Sequence, residues 1–271
     1  MQRGLGSGTL PNRRHNPDPP KDRVQNTEIF LVVVGLFAGI IDAIAGGGGL
    51  IALPAMSLVV GPGLDAIGSN KLASFACAAI AFLVYLWRGH VEWRSSTLFT
   101  VAVGAGALAG SFAARFVPVD AFPWLLALTC PVIVYAVWKK DLWLTRPVQQ
   151  DSPSLWAIVI AGIVVGFYDG IWGPGGGTFM FLALMLFARL PLLASLAASK
   201  LANSAAAAVA LVIYGSAGHV HLREAMLLAA GMLTGGFVGA MLASANASRV
   251  VRPALIVVAV LLTAKVIATY A

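Results

Sequence analysis

Long apolar stretches alternate along the chain with short polar ones. Apolar runs fall at about 29–60, 69–87, 96–115, 120–138, 155–188, 193–213, 224–243 and 250–270. Most match the ~20 residues a helix needs to cross a ~30 Å hydrocarbon core. The pattern therefore predicts an all-α polytopic membrane protein. Runs 29–60 and 155–188 are too long for one straight crossing at ~1.5 Å per residue, and each contains a cluster of glycines. Each is expected to be a broken helix, or a crossing followed by a short re-entrant arm. Unwound backbone at membrane depth is tolerated only where it lines a cavity or is buried in protein.

The two long runs are copies of one another. Aligning Asp42 with Asp169 also aligns Gly35 with Gly162, Gly39 with Gly166, Gly46 with Gly173, and Gly48-Gly49 with Gly175-Gly176. Each block is followed by Lys-Leu-Ala (from Lys71 and from Lys200) and by Gly-His-Val (from Gly89 and from Gly218). Such internal duplication is common in membrane transporters. Counting each long run as one crossing gives about eight transmembrane helices in two homologous four-helix repeats, each starting with a glycine-broken helix. The first repeat spans 28–138 and the second 155–271, joined by a hydrophilic linker at 139–154. A basic tail at 1–27 lacks periodicity and is expected to be disordered. Four crossings per repeat would orient the halves alike; counting the short arms as full crossings would give five per half and an inverted repeat but put Lys139-Lys140 on the other side, so eight is preferred. Arg88, Arg94, Lys139, Lys140, Arg146 and Arg223 then join the tail on one side, against Arg115, Arg189, Arg249 and Arg252. The positive-inside rule makes that side, with both termini, cytoplasmic.

Composition supports bilayer burial. The chain is 59% hydrophobic and 11% charged, against roughly 25% charged in a typical soluble domain. The net charge of +7 does not indicate nucleic acid, because five of the basic residues (Arg3, Arg13, Arg14, Lys21, Arg23) sit in the tail. Cys77 and Cys130 lie in apolar sequence and read as small core residues, with no disulfide framework or metal site. Ala43-Ile44-Ala45 imitates a signal-peptidase site. The recurrence of the surrounding block mid-chain and the long basic head argue that the segment stays in the mature protein.

Charges inside the apolar runs are few: Asp42, Lys71, Asp169, Lys200 and Lys265. A charge at the bilayer centre costs at least ~2.5 kcal/mol, so such residues face a cavity or a partner. The bland expectation pairs Asp42 with Lys71 and Asp169 with Lys200, pinning helices within each half. Spaced glycines such as Gly35/Gly39, Gly162/Gly166, Gly106/Gly110 and Gly235/Gly239 read as close-packing positions. Consecutive ones, Gly46, Gly47, Gly48 and Gly49, and Gly173, Gly175, Gly176 and Gly177, do not serve packing in that way. A break there presents free N–H groups at the start of a half-helix, where the dipole favours an anion. With Lys71 and Lys200 they make two anion-binding corners. Asn70 and Ser199, with Asn203, Ser69, Ser74 and Ser204, add hydrogen-bonding capacity. Asp42 and Asp169 would couple a proton or pair the lysines.

No catalytic residue, metal site or cofactor is assigned. Ser216 with His219 faintly resembles a protease motif, and His219 with His221 lacks a third ligand. No phosphate-binding loop appears, so no ATP-driven mechanism is visible.

The duplicated Gly-x-x-x-Gly-x-x-Asp-x-x-x-Gly-x-Gly-Gly block, with Asn70-Lys71-Leu72 and the Gly-His-Val loop, resembles the TauE/SafE family. The stretch from Gly166 to Gly175 is most similar to its YfcA-like branch. The resemblance covers residue 29 to the end and implies a polytopic inner-membrane permease that exports sulfite or organosulfur anions such as sulfoacetate. The glycine blocks, acids and lysines named above match its motifs. One departure is Phe181, which stands where the first block has Pro54. The expectation is a secondary transporter moving a small anion, sulfite or an organosulfonate, out across the bacterial inner membrane. Its partners are that anion and the lipid bilayer. Homo-oligomerisation stays open, and nucleic acid is not expected. The alternatives are a passive anion channel and, with less support, a membrane enzyme or assembly factor.

Overall fold

A computed structural model describes residues 21–118 and 154–270. Among them all regular structure is helical: α1 Lys21–Ala45, α2 Gly49–Val60, α3 Leu64–Trp87, α4 Trp93–Ala113 closed by a 3-10 turn Ala114–Phe116, α5 Leu155–Ile171, α6 Gly176–Phe187, α7 Leu192–Ser216 and α8 Leu222–Tyr270. Helix α8 is bent at Asn246 (φ −146°, ψ 57°). Among the described residues, five stretches are long and apolar enough to cross a membrane: Asn26–Ala45, Leu64–Trp87, Trp93–Phe116, Leu192–Ser216 and Leu222–Ala247. Residues 1–20 of the expected tail, the run 120–138 with Cys130, and the linker 139–154 up to residue 153 lie outside the described residues. So does the side chain of Lys265.

Both overlong runs break at their glycines. The arms that follow, α2 and α6, have 12 residues each, about 18 Å at ~1.5 Å per residue and too short to cross. At the first break the chain turns back. Gly46 N–H closes the last turn on the Asp42 carbonyl at 2.7 Å, with φ +79°, a conformation that costs a glycine little. Gly48 then lies against the flank of α1, where a Cβ would strike the Ala38 carbonyl and the Asp42 side chain. The second break matches it, with Gly173 at φ +97° and Gly176 lying against Asp169.

The reversal overturns the expected orientation of the halves. Gly35 meets Leu228 to Met232 and Gly39 meets Met232 to Gly236, so α1 and α8 run parallel. Gly68 faces His219 while Cys77 faces Gly236, so α3 is parallel to both. After the turn at Arg88–Glu92, α4 runs back, ending with Ser111 and Arg115 beside Leu64 at the start of α3. Helix α5 follows α4, Gly106 meeting Ile163 and Gly110 meeting Phe167. Helices α1 and α5 are therefore antiparallel. Each long run, whether a broken helix or a crossing with a re-entrant arm, was expected to count as one crossing, whereas α2 carries the chain back towards the face it came from.

The loop charges regroup in consequence. Arg88, Arg94, Arg189 and Arg249 share one face, while Arg115 and Arg223 share the other, where Arg223 pairs with Glu28 of α1. The charge tally that put the N-terminus in the cytoplasm grouped Arg88 with Arg223 and no longer applies.

The spaced glycines do serve packing. Those of α1 close on α8, where Gly231 and Gly235 answer them; Gly162 and Gly166 of α5 close on residues 99–103 of α4, and Gly106 and Gly110 of α4 close in turn on Ile163 and Phe167. Close backbone approach of this kind supplies the dispersion contacts that hold helices together in lipid. The outer faces are apolar: Leu58 is 81% and Trp156 79% exposed, as suits contact with lipid. A methyl on Gly106 would collide with the Ile163 carbonyl, whereas one on Gly104 meets nothing within 4 Å. Gly106→Ala should lower the thermal midpoint of the detergent-solubilised protein, while Gly104→Ala should hold or raise it through helix propensity (about 0.5–1 kcal/mol). Equal midpoints for the two variants would refute this packing. Single cysteines replacing Arg94 and Arg189 should react with an impermeant maleimide from the same side of the membrane, and one replacing Arg115 from the other.

Candidate functional site

The two breaks meet at the middle of the molecule. Gly46 abuts Gly177 and Thr178, and Gly49 faces Pro174. A helix end leaves its last four carbonyls without intrahelical partners, and in hydrocarbon each unsatisfied group costs several kcal/mol. Side chains from other helices supply the missing donors. At the end of α1, Ala43 C=O accepts from the Tyr85 hydroxyl at 2.9 Å and Ala45 C=O from Thr178 Oγ1 at 2.7 Å, while Asp42 C=O, already bonded to Gly46 N–H, accepts a second bond from Lys200 Nζ. At the end of α5, Asp169 C=O accepts from Lys71 Nζ. Gly170 C=O accepts from the Tyr214 hydroxyl at 2.9 Å and from Ser111 Oγ at 3.3 Å.

Each lysine also ion-pairs with the aspartate whose carbonyl it holds. Lys200 Nζ is 2.8 Å from Asp42 Oδ2, and Lys71 Nζ is 2.8 Å from Asp169 Oδ2. The four residues are buried, at 0%, 5%, 3% and 2% exposure respectively for Lys200, Asp42, Lys71 and Asp169. The ammonium groups thus sit at helix C-termini, where the dipole favours a cation. The pairing crosses between the halves, correcting the expectation of Asp42 with Lys71 and Asp169 with Lys200. Its cause is the inversion, which brings α7 to the end of α1 and α3 to the end of α5.

The half-helix N-termini expected to hold an anion already meet one. Asp42 Oδ1 accepts the Gly48 N–H at 3.2 Å, and Gly176 lies against the Asp169 carboxylate. Between the pairs is a cavity of about 10 Å³, roughly the space one water needs. Asp42, Gly46, Gly49, Asn70, Lys71, Asp169, Gly173, Gly177 and Asn203 line it, together with Ser74. Asn70 Nδ2 donates to Ser74 Oγ at 3.4 Å, and its Oδ1 has no protein partner.

Other expected site residues are not brought there. Gly47 packs on Val258, Gly48 is bound to Asp42, and Gly175 is the left-handed cap of α6. Ser199 Oγ donates to Leu196 C=O within α7. Lys200 bonds to Asp42 without lining the cavity. The tyrosines were missed, although the sequence carries a signal for them: Tyr85 and Tyr214 stand at the same spacing before the two Gly-His-Val loops. Of the weaker motifs, Ser216 Oγ donates to Ile213 C=O, and His219 and His221 both turn to Asp65, at 2.7 and 3.5 Å. No cluster suited to a metal occurs among the described residues.

The family model for the sulfite exporter TauE/SafE matches residues 31–266. The chain belongs to the TauE/SafE family. Among its relatives, "Probable membrane transporter protein ORF9" of Sinorhizobium sp is 31% identical over 240 residues, covering 88% of this chain and 92% of that protein. A "Probable membrane transporter protein" of Haemophilus influenzae is 28% identical over 242 residues, covering 88% and 93%. "Probable membrane transporter protein YfcA" of Escherichia coli K12 is 27% identical over 241 residues, covering 88% of each chain. No solved structure matches. With its apolar helices, this TauE/SafE member is a multi-pass membrane protein.

Removing one partner of a buried ion pair strands the other charge and costs about 3–5 kcal/mol, whereas replacing both by apolar residues is often near neutral. Lys71→Met should therefore lower the thermal midpoint sharply, and adding Asp169→Leu should recover most of the loss. Adding Asp42→Leu instead should not. Rescue by the Asp42 change would contradict the crossed pairing.

Proposed function

We propose that this TauE/SafE protein is a secondary transporter that carries a small anion, sulfite or a small organosulfonate, out across the bacterial cytoplasmic membrane. The family description and the transporter names of its relatives support that class. The observation that carries the reading is the exchange of ion partners between the halves. Two buried lysines are each held by an acid of the other half, and intramembrane charges of this kind mark ion and substrate pathways. We read the chain as two homologous repeats, 28–138 and 155–271, set in opposite orientation. Each contributes one break, one acid and one lysine, an arrangement suited to alternating access around a shared site.

The paired state has no room for a polyatomic anion, so a substrate must take a lysine from its carboxylate. Protonation of Asp42 or Asp169 opens that route. The neutral acid no longer holds the ion pair, and the ammonium becomes a free cation. Around Asp42, the Gly48 N–H also becomes available to the anion's oxygens. Proton and anion then bind together and leave together, after which the pair reforms. A dianion leaving with one proton carries net negative charge outward, favoured by ~2.3 kcal/mol per 100 mV of inside-negative potential. No ATP is required.

The single-water cavity favours this carrier over a passive channel, which needs a continuous wet path. The lysines, aspartates and tyrosine hydroxyls at the centre are engaged in holding the breaks, which favours transport over enzymatic catalysis.

Flux of labelled sulfite into proteoliposomes tests the reading. Lys71→Ala and Lys200→Ala should each reduce flux at least tenfold while still inserting, and Asp42→Asn should uncouple residual flux from an imposed pH gradient. Wild-type rates in both lysine variants would rule out the assigned site.

A further inference from the structure

On the face where α4 and α7 end and α8 begins, a second cavity of about 220 Å³ opens between α3, α4 and α7. Its inner wall includes Tyr214 and Ser111, whose hydroxyls hold the Gly170 carbonyl, the residue next to Asp169. The cavity therefore ends just short of the Lys71–Asp169 pair. Leu64, Phe112 and Ile213 make its lining largely apolar, and Arg115 is its strongest polar group. The Arg115 guanidinium lies over the rings of Phe112 and Phe116, at 5.6 and 4.9 Å from their centroids, and has no carboxylate partner among the described residues. Asp65, an acid near the mouth, is engaged by His219, which lines the cavity, and by His221.

A planar cation stacked on aromatic rings leaves its N–H edge available to an acidic head group. The apolar walls beside it reward a ligand that carries hydrocarbon. A compact, strongly hydrated oxyanion gains nothing from them.

The matching place on the opposite face is built differently. By the repeat alignment, Met241 stands where Phe112 does, and Arg88 where Ala217 does. The Arg88 guanidinium lies 5.3 Å from the Trp87 ring and its Nη2 reaches Met241 Sδ at 3.6 Å. There the cation itself lies across the position that is open on the Arg115 face.

We propose that the Arg115 cavity is a vestibule for small organic anions. The acid group binds Arg115 and the hydrocarbon body rests on Leu64, Phe112 and Ile213, before the ligand passes Tyr214 towards Lys71. The proposal rests on the transport reading for its purpose, and the binding itself is separately testable.

Titration calorimetry on the detergent-solubilised protein, with propane-1-sulfonate as probe, decides it. Propane-1-sulfonate should bind about tenfold tighter than methanesulfonate, as two buried methylenes at ~0.8 kcal/mol each imply, with sulfate weakest of the three. Arg115→Gln should weaken the probe at least tenfold and Arg115→Lys less. The double variant Lys71→Met/Asp169→Leu should still bind it. Absence of binding, equal affinity for the two sulfonates, or wild-type affinity in Arg115→Gln would overturn the vestibule. Loss of binding only in the double variant would put the probe at the central pair, overturning the vestibule while leaving the transport reading in place. Arg115-dependent binding alongside unchanged sulfite flux in both lysine variants would do the reverse.

Discussion

A helix cut inside a membrane leaves carbonyls that water cannot reach, and the rest of this molecule is arranged around satisfying them. The cuts at Gly46 and Gly173 free the ends of α1 and α5. The donors that close them come from elsewhere: Lys200, Tyr85 and Thr178 for α1, Lys71, Tyr214 and Ser111 for α5. Both lysines and Thr178 reach across from the other half of the chain. Neither half can complete its own break, so the centre forms only when the two halves close on one another.

The lysines do two jobs that conflict. Bonded to the backbone and carboxylate of an aspartate, each stabilises a break. Free, each would be the strongest anion ligand within reach. Buried ion pairs are a poor means of adding stability, since apolar replacements do as well or better. Their presence twice, in a chain otherwise so apolar, fits a centre that has to exchange one anion for another. In the mechanism proposed above, the carboxylate is the resident anion, and only what neutralises it frees the cation.

Much of this centre was legible in the sequence, because hydrophobic surroundings make every polar residue conspicuous and duplication shows which ones recur. Asp42, Asp169, Lys71, Lys200 and the glycine runs were found on those grounds. Partner choice was not legible, since two like copies offer the same acid and lysine within a half and between halves. Orientation was misread for a conformational reason. Glycine permits a kink, a continuation or a reversal, and only the positive φ at Gly46 and Gly173, with Gly48 folded back on Ala38, selects reversal. The tyrosines were passed over because an aromatic in an apolar helix reads as core filling, and what distinguishes Tyr85 and Tyr214 is a hydroxyl aimed at a carbonyl that exists only if the helix is broken.

Likeness between the halves decreases away from the centre. The acid, the lysine and the tyrosine are repeated in kind and in geometry. One step outward, Thr178 has Ile51 as its counterpart and Asn70 has Ser199. At the mouths, Arg115 corresponds to Ser244 and Arg88 to Ala217. If the centre is the shared binding site proposed above, it must present the same chemistry whichever side it opens to, which would keep its two contributions alike. The mouths face different solutions and are under no such constraint. On the proposed transport reading, selection among anions is therefore better sought at the divergent mouths, where hydrocarbon and guanidinium lie side by side, than at the paired lysines, whose bare positive charge discriminates little between one oxyanion and another.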